Sequence, residues 1–247
     1  MIVKLSRSPV AIVALVLAAG MAGAGLTLLW SAHDGRTGQR AQVERVVHDY
    51  LLDHPEILPE AMQRLTDRHN SGLIASNKAA IYSPVGNAWS GNPAGDLTIV
   101  EYFDYNCGFC RASLPTIATL LKADPKLRIV YRELPVLSED SKVAARYSII
   151  AARLGKFAQF HKAMYDGGPI SDQSIAHALT VAGIDPAKAK AAANDPSIDA
   201  EIGNNYAVAK QLGMTGTPSW VIGDHVVSSA LPLEELQREI ARARTRA

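Results

Sequence analysis

Cysteine is the scarce residue in this chain. Of 247 residues two are cysteines, and both fall in one stretch of four, Cys107-Gly108-Phe109-Cys110. Without a second cysteine pair or a closely spaced histidine pair, a zinc site there lacks two of its ligands. A structural disulfide across two intervening residues closes a loop too short to restrain much unfolded-chain entropy. Surplus charge is missing as well: 25 Lys and Arg against 24 Asp and Glu leave a formal net charge of +1, no ground for a nucleic-acid partner. Apolar residues, at 48%, suffice for a core of ordinary size. With staple and zinc both disfavoured, redox exchange is the favoured reading of the two thiols.

The flanks of the pair say how it is presented. Leu97-Thr98-Ile99-Val100-Glu101-Tyr102-Phe103 is rich in the β-branched and aromatic residues that suit a buried strand. Downstream, Leu114, Ile117, Ala118 and Leu121 recur at helical spacing, so the cysteines sit on a turn that opens a helix. Unpaired N–H groups and the dipole at a helix start stabilise a thiolate. Cys107 is the expected nucleophile, facing solvent, and Cys110, one turn in, the resolving thiol. Pro115 lies inside the same helix.

Residues 127–134 read as the next strand. Residues 138–212 read as four or five helices, divided at Gly155, Gly167-Gly168-Pro169, Gly183-Ile184-Asp185-Pro186 and Asp195-Pro196. Within them Tyr147, Phe157, Phe160, His161 and Tyr165 either pack as core or line a substrate face. Pro218 to Ile222, a turn at Gly223-Asp224 and His225 to Val227 predict a hairpin, and Leu233, Leu236 and Ile240 a closing helix. The arginines near the C-terminus, Arg238, Arg242, Arg244 and Arg246, read as a solvated face at the negative end of that helix. Residues 70–95 read as loop.

The segment from Val100 to Arg111, with its Cys-X-X-Cys and the later Thr217-Pro218, resembles the active-site segment of the DsbA family of bacterial thiol-disulfide oxidoreductases, its DsbA/Com1 and ScsC-type members above all. The resemblance implies an α/β thioredoxin fold over residues 85–247, with 138–212 as a helical insertion. It further implies a cis Thr217-Pro218 bond against the cysteines. Thr217, Pro218, Gly108 and Phe109 would then bind an extended substrate peptide through backbone hydrogen bonds. Glu101 is implied as an acid beneath Cys110 that takes or supplies its proton; the alternative is a strand-edge glutamate in water. The redox-active Cys107–Cys110 disulfide would be the sole redox group, with no separate cofactor or metal. Gly108-Phe109 departs from the Pro-His of many family oxidases, so potentials do not transfer. The implied partners are unfolded or misfolded exported proteins and a membrane or periplasmic redox partner. Both oxidation and isomerisation of disulfides stay open, and a copper-handling module of ScsC type is the alternative.

At the N-terminus Lys4 and Arg7 precede a hydrophobic run from Pro9 to Trp30, the order of an export signal into an oxidising compartment such as the periplasm. Residues 1–30 are read as a removed signal peptide or, by preference, a membrane anchor formed by 9–30. Residues 31–40 read as a linker. Residues 41–75 read as a helical domain in which Val43, Val46, Val47, Tyr50 and Leu51, then Ile57, Leu58, Ala61, Met62 and Leu65, form two apolar stripes broken at Asp53-His54-Pro55. These stripes either pack on the catalytic domain or, as the resemblance implies, bring copies of the chain into a homo-oligomer through residues 41–70.

Overall fold

The computed structural model describes residues 9–246 and divides the chain into two units, residues 1–63 and 64–247. Lys4 and Arg7, on which the export reading turns, lie outside the described residues. In the first unit a single helix, α1 (Pro9–Asp53), runs for 45 residues, straight through the expected linker at 31–40. The reason is local: no proline occurs between Pro9 and Pro55, and isolated glycines weaken a helix by only about 1 kcal/mol each without breaking it. Pro55 does end it, because the residue before a proline is pushed out of the helical region. Val43, Val46, Val47 and Tyr50 on α1 are all at least half exposed. Among the described residues no helix is long and apolar enough to cross a membrane, so the tether expected of 9–30 is without support.

α2 (Ile57–Ser76) carries the chain into the second unit, followed by α3 (Lys78–Tyr82) and a short strand, β1 (Trp89–Gly91). The expected loop at 70–95 is therefore largely regular structure. Ile74 and Ile81 supply the reason, since both are buried against the sheet. Next come β2 (Leu97–Phe103), α4 (Gly108–Ala123) and β3 (Leu127–Glu133). The insertion is five helices, α5 (Glu139–Arg153), α6 (Phe157–Asp166), α7 (Asp172–Val181), α8 (Pro186–Ala192) and α9 (Pro196–Gln211). The hairpin β4 (Ser219–Ile222) and β5 (His225–Val227) precedes the closing helix α10 (Leu233–Arg246).

The sheet runs β1-β3-β2-β4-β5, with β2 and β3 parallel and the other pairings antiparallel. Alternation along β2 splits its side chains between two faces. Ile99 and Phe103 join Ile117 and Leu120 of α4, Leu236 and Ile240 of α10 and much of the insertion, while Val100 and Tyr102 join Ile74, Ile81, Val208 and Leu212. A strand covered on both faces needs apolar residues at nearly every position, and β2 has them except at Thr98 and Glu101. Phe157, Phe160, His161 and Tyr165 prove to be core, not a substrate face. Arg242 and Arg244 are not merely solvated: Arg242 pairs with Glu239 at 3.0 Å and Asp67 at 3.2 Å, and Arg244 with Asp96 and Asp124, both at 2.7 Å. The acids lie up to 175 positions away, so no local pattern exposes the pairing.

Candidate active site

The end of β2 feeds a tight turn. Asp104, itself buried, accepts the Asn106 N–H on Oδ1 at 2.8 Å and the Leu137 N–H on Oδ2 at 2.9 Å, tying the turn to the loop after β3. Its carbonyl accepts from Cys107 N at 3.0 Å and from the Tyr165 hydroxyl at 3.1 Å. Cys107 emerges as the N-cap of α4, with φ −83° and ψ 112°, and its Sγ accepts from the Cys110 N–H at 3.3 Å. Sulfur here fills the place an oxygen usually takes at a helix start.

Both thiols are free and largely covered: Cys107 is 4% and Cys110 1% exposed. The expected open Cys107 is thus narrowed to a sliver. The Thr217-Pro218 bond is cis, and the Thr217 carbonyl lies 3.1 Å from Cys107 Sγ, which donates to it in the thiol form. Thr217 Oγ and Pro218 are both buried. Gly108 and Phe109 lie outside this enclosure. A Cβ at Gly108 would meet nothing within 4 Å, and Phe109 is 69% exposed.

Hydrogen bonding from the Cys110 side chain, above all, lowers the Cys107 pKa to about 6; burial opposes it, and the Thr217 side chain and the backbone of Cys110 and Phe109 add to it. The same Cys107–Cys110 bond pushes the Cys110 pKa far up, with burial and the Glu101 charge reinforcing it. The arrangement favours a thiolate at Cys107 and a protonated thiol at Cys110 at neutral pH.

Glu101 occupies the centre of the sheet, opposite Tyr131 of β3 and Trp220 of β4, and is 2% exposed. Burial, chiefly, and the nearby Cys107 charge together raise its pKa to about 8. Of its two sequence readings, the strand-edge carboxylate in water does not fit. The sequence reading missed Asp104 and Tyr165 as shapers of the turn. Asp104 stood inside the quoted motif, while nothing in sequence links Tyr165 to a position 61 residues earlier.

Comparisons with known proteins agree with this geometry. Residues 98–241 match the model of the DSBA-like thioredoxin domain, and residues 39–69 that of the copper resistance protein ScsC N-terminal domain. No curated relative matches. A thioredoxin-like oxidoreductase from Silicibacter pomeroyi DSS-3 is similar at 35% identity and a TM-score of 0.64, over 69% of this chain and 99% of that one. The thiol-disulfide exchange protein alpha-DsbA2 from Wolbachia pipientis is 28% identical, with a TM-score of 0.64 over 71% and 96% of the two chains. A periplasmic thioredoxin-like protein from Salmonella enterica serovar Typhimurium is 26% identical, with a TM-score of 0.61 over 68% and 95%. The chain belongs to the DSBA-like thioredoxin domain family, and carries a ScsC-type N-terminal domain ahead of that domain.

Proposed function

We propose that this protein is a periplasmic thiol-disulfide oxidoreductase that forms or isomerises disulfides in exported polypeptides through Cys107 and Cys110. The observation that carries the reading is the cap geometry, Cys110 N–H to Cys107 Sγ at 3.3 Å, which favours a thiolate at one cysteine. In the reduced form the Cys107 thiolate attacks a substrate disulfide, one substrate sulfur leaves as thiolate, and a mixed disulfide forms at Cys107. Cys110 then loses its proton and attacks Cys107 Sγ, releasing the second substrate sulfur and closing the Cys107–Cys110 disulfide; oxidation of a substrate runs these steps in reverse. Glu101 is the acceptor for the Cys110 proton. While Cys107 is a thiolate its charge holds the Glu101 proton on; once Cys107 is in a mixed disulfide that charge is gone, and Glu101 ionises more easily just when Cys110 must deprotonate. The Thr217 backbone and the exposed Gly108 and Phe109 would receive an extended substrate segment.

Cys110→Ala tests the assignment. The variant is expected to accumulate mixed disulfides through Cys107, visible as adducts that dithiothreitol releases. In the wild-type protein, alkylation that labels Cys110 ahead of Cys107 at mildly acidic pH would refute it.

The half-exposed stripe Val43, Val46, Val47 and Tyr50, with Leu58 and Met62 likewise exposed, supports self-association through residues 41–70. Several Cys-X-X-Cys sites around one stalk raise the local thiol concentration at a misfolded substrate, which favours isomerisation. Light scattering of the chain from Ser31 onward checks this, with a monomer at micromolar concentration leaving oxidation as the better reading. The ScsC description of the match at 39–69 favours copper handling as a second function. Among the described residues no group of three or more His, Cys, Asp or Glu could hold a metal ion, so that reading would rest on the two thiols alone.

A further inference from the structure

Beneath the redox turn lies a set of buried polar groups that thiol exchange does not use. Tyr105, two residues before Cys107, places its hydroxyl 2.9 Å from Ser148 Oγ of α5 and 3.1 Å from His161 Nδ1 of α6. All three residues are buried. Glu133, the last residue of β3, is buried with neither carboxyl oxygen within hydrogen-bond distance of a protein partner among the described residues. The Ser148 hydroxyl nevertheless stands close enough to offset part of the rise that burial imposes on the Glu133 carboxyl. A cavity of about 10 Å³, room for one water, adjoins the carboxyl and is lined by Tyr131, Arg132, Ser148 and Asn205 among others.

The direction of the hydrogen bonds follows from one unpaired atom. His161 Nε2 is buried without a partner, and burial lowers the ring pKa to about 3, so the ring is neutral. A buried N–H without an acceptor is the costlier way to leave that nitrogen, so the ring proton sits on Nδ1 and is donated to the Tyr105 oxygen. The Tyr105 O–H is then donated to Ser148, and the Ser148 O–H is left to turn toward the cavity that Glu133 also lines. Other charged groups around Glu133 do not compete for this role. Arg132 is committed to Glu201 at 2.7 Å, and Asp104 holds two backbone N–H groups.

We propose that His161, Tyr105 and Ser148 form one directed hydrogen-bond chain, that a water in the cavity lined by both Ser148 and Glu133 extends it to the Glu133 carboxyl, and that Glu133 is a positioning residue for the redox turn. The link to the cysteines is covalent and short. Tyr105 is anchored by this chain, and Asp104, its neighbour, receives both the Cys107 N–H and the Tyr165 hydroxyl. Slack at Tyr105 passes to the carbonyl that holds Cys107 N, and so to the cap at Cys107 Sγ. The inference rests on Cys107 being the nucleophile.

Nitrogen NMR of the full chain at neutral pH tests the direction: the Nδ1–H tautomer is expected for His161, and the Nε2–H tautomer would overturn the proposal. Ser148→Ala and Glu133→Leu are expected to weaken the Cys107 cap and shift the equilibrium with glutathione by about fivefold, the weight of one net hydrogen bond. Glu133→Gln, which keeps a carbonyl oxygen to accept from the cavity water, should preserve the wild-type equilibrium. Should Glu133→Leu not fold, Ser148→Ala decides. A folded Ser148→Ala protein with the wild-type equilibrium and an unchanged Tyr105 environment overturns the proposal. A wild-type protein that never equilibrates with glutathione would instead refute the thiol-exchange reading, with the tautomer measurement still standing.

Discussion

Cys110→Ala removes the largest influence that holds the Cys107 pKa down, the hydrogen bond from the Cys110 side chain. What it leaves in place matters equally, because alanine keeps the backbone N–H that lies 3.3 Å from Cys107 Sγ. A hydrogen bond to a charged group contributes about 1.5–3 kcal/mol, which at about 1.4 kcal/mol per unit is about one to two pKa units. Cys107 should therefore titrate near about 7 to about 8 in the variant, against about 6 in the wild type. At pH 7 the ionised share falls from about nine-tenths to between about half and about a tenth. Cys110→Ser restores a donor of similar reach and should keep the midpoint near the wild-type value. Thiolate absorbance in the ultraviolet, followed from about pH 4 to about pH 9, reads the midpoint directly, and iodoacetamide rates confirm it. Equal midpoints for the alanine and serine variants would refute the reasoning and assign the depression to the backbone and helix start alone.

The depressed Cys107 pKa also sets a pH dependence: ionisation stabilises the reduced form above about pH 6 and that gain is lost as pH falls through 6. Against glutathione, whose thiol remains protonated to about pH 8.5, the equilibrium should favour reduced protein by about tenfold more per pH unit from about 6 to about 8, flattening below; a flat profile across this range contradicts the shift. Glu101→Gln removes the proton acceptor and should slow closure of the Cys107–Cys110 disulfide by about 10²-fold or more while leaving the first attack by Cys107 intact, as read by stopped-flow fluorescence; equal slowing of both steps would point to a packing effect. Asp104→Ala strands the N–H groups of Asn106 and Leu137 and should cost about 2 kcal/mol or more in urea unfolding, with raised mobility of the redox turn in hydrogen exchange.

How much of this was open to a reader of the sequence depends on how local the cause is. The order strand, redox helix, strand, helices, hairpin, helix was legible because each element carries its own periodicity and breakers, and the hairpin turn at Gly223 even shows its cause, a φ of +63°. Element boundaries at 31–40 and 70–95 were misread for one reason. Polar and glycine-containing stretches suggest loops, yet 31–40 holds no proline to end a helix, and in 70–95 the burial of Ile74 and Ile81 against the sheet is a tertiary cause that no local pattern shows. β1 was missed because a three-residue strand has no period of its own; it exists through its antiparallel pairing with β3. At the site, the cysteines, Glu101 and Thr217-Pro218 were visible as a pattern of residue types.

The polar set under the turn was not, and the reason bears on how such a site keeps its character while its motif varies. Cys107 and Cys110 differ in acidity chiefly through the hydrogen bond between them at the start of α4. The motif supplies the atoms but not the rigidity. Gly108 has open space where a side chain would be, and Phe109 is turned outward, so neither position of the dipeptide restrains the cysteines through a side chain. Restraint comes from below, through Asp104 to the loop after β3, through Tyr165 to α6 and through Tyr105 to α5 and α6. On the proposals made above, the intervening dipeptide is left open for substrate contact, and the helical insertion, which contributes no reacting atom, would hold the geometry that makes one thiol acidic and keeps the other protonated.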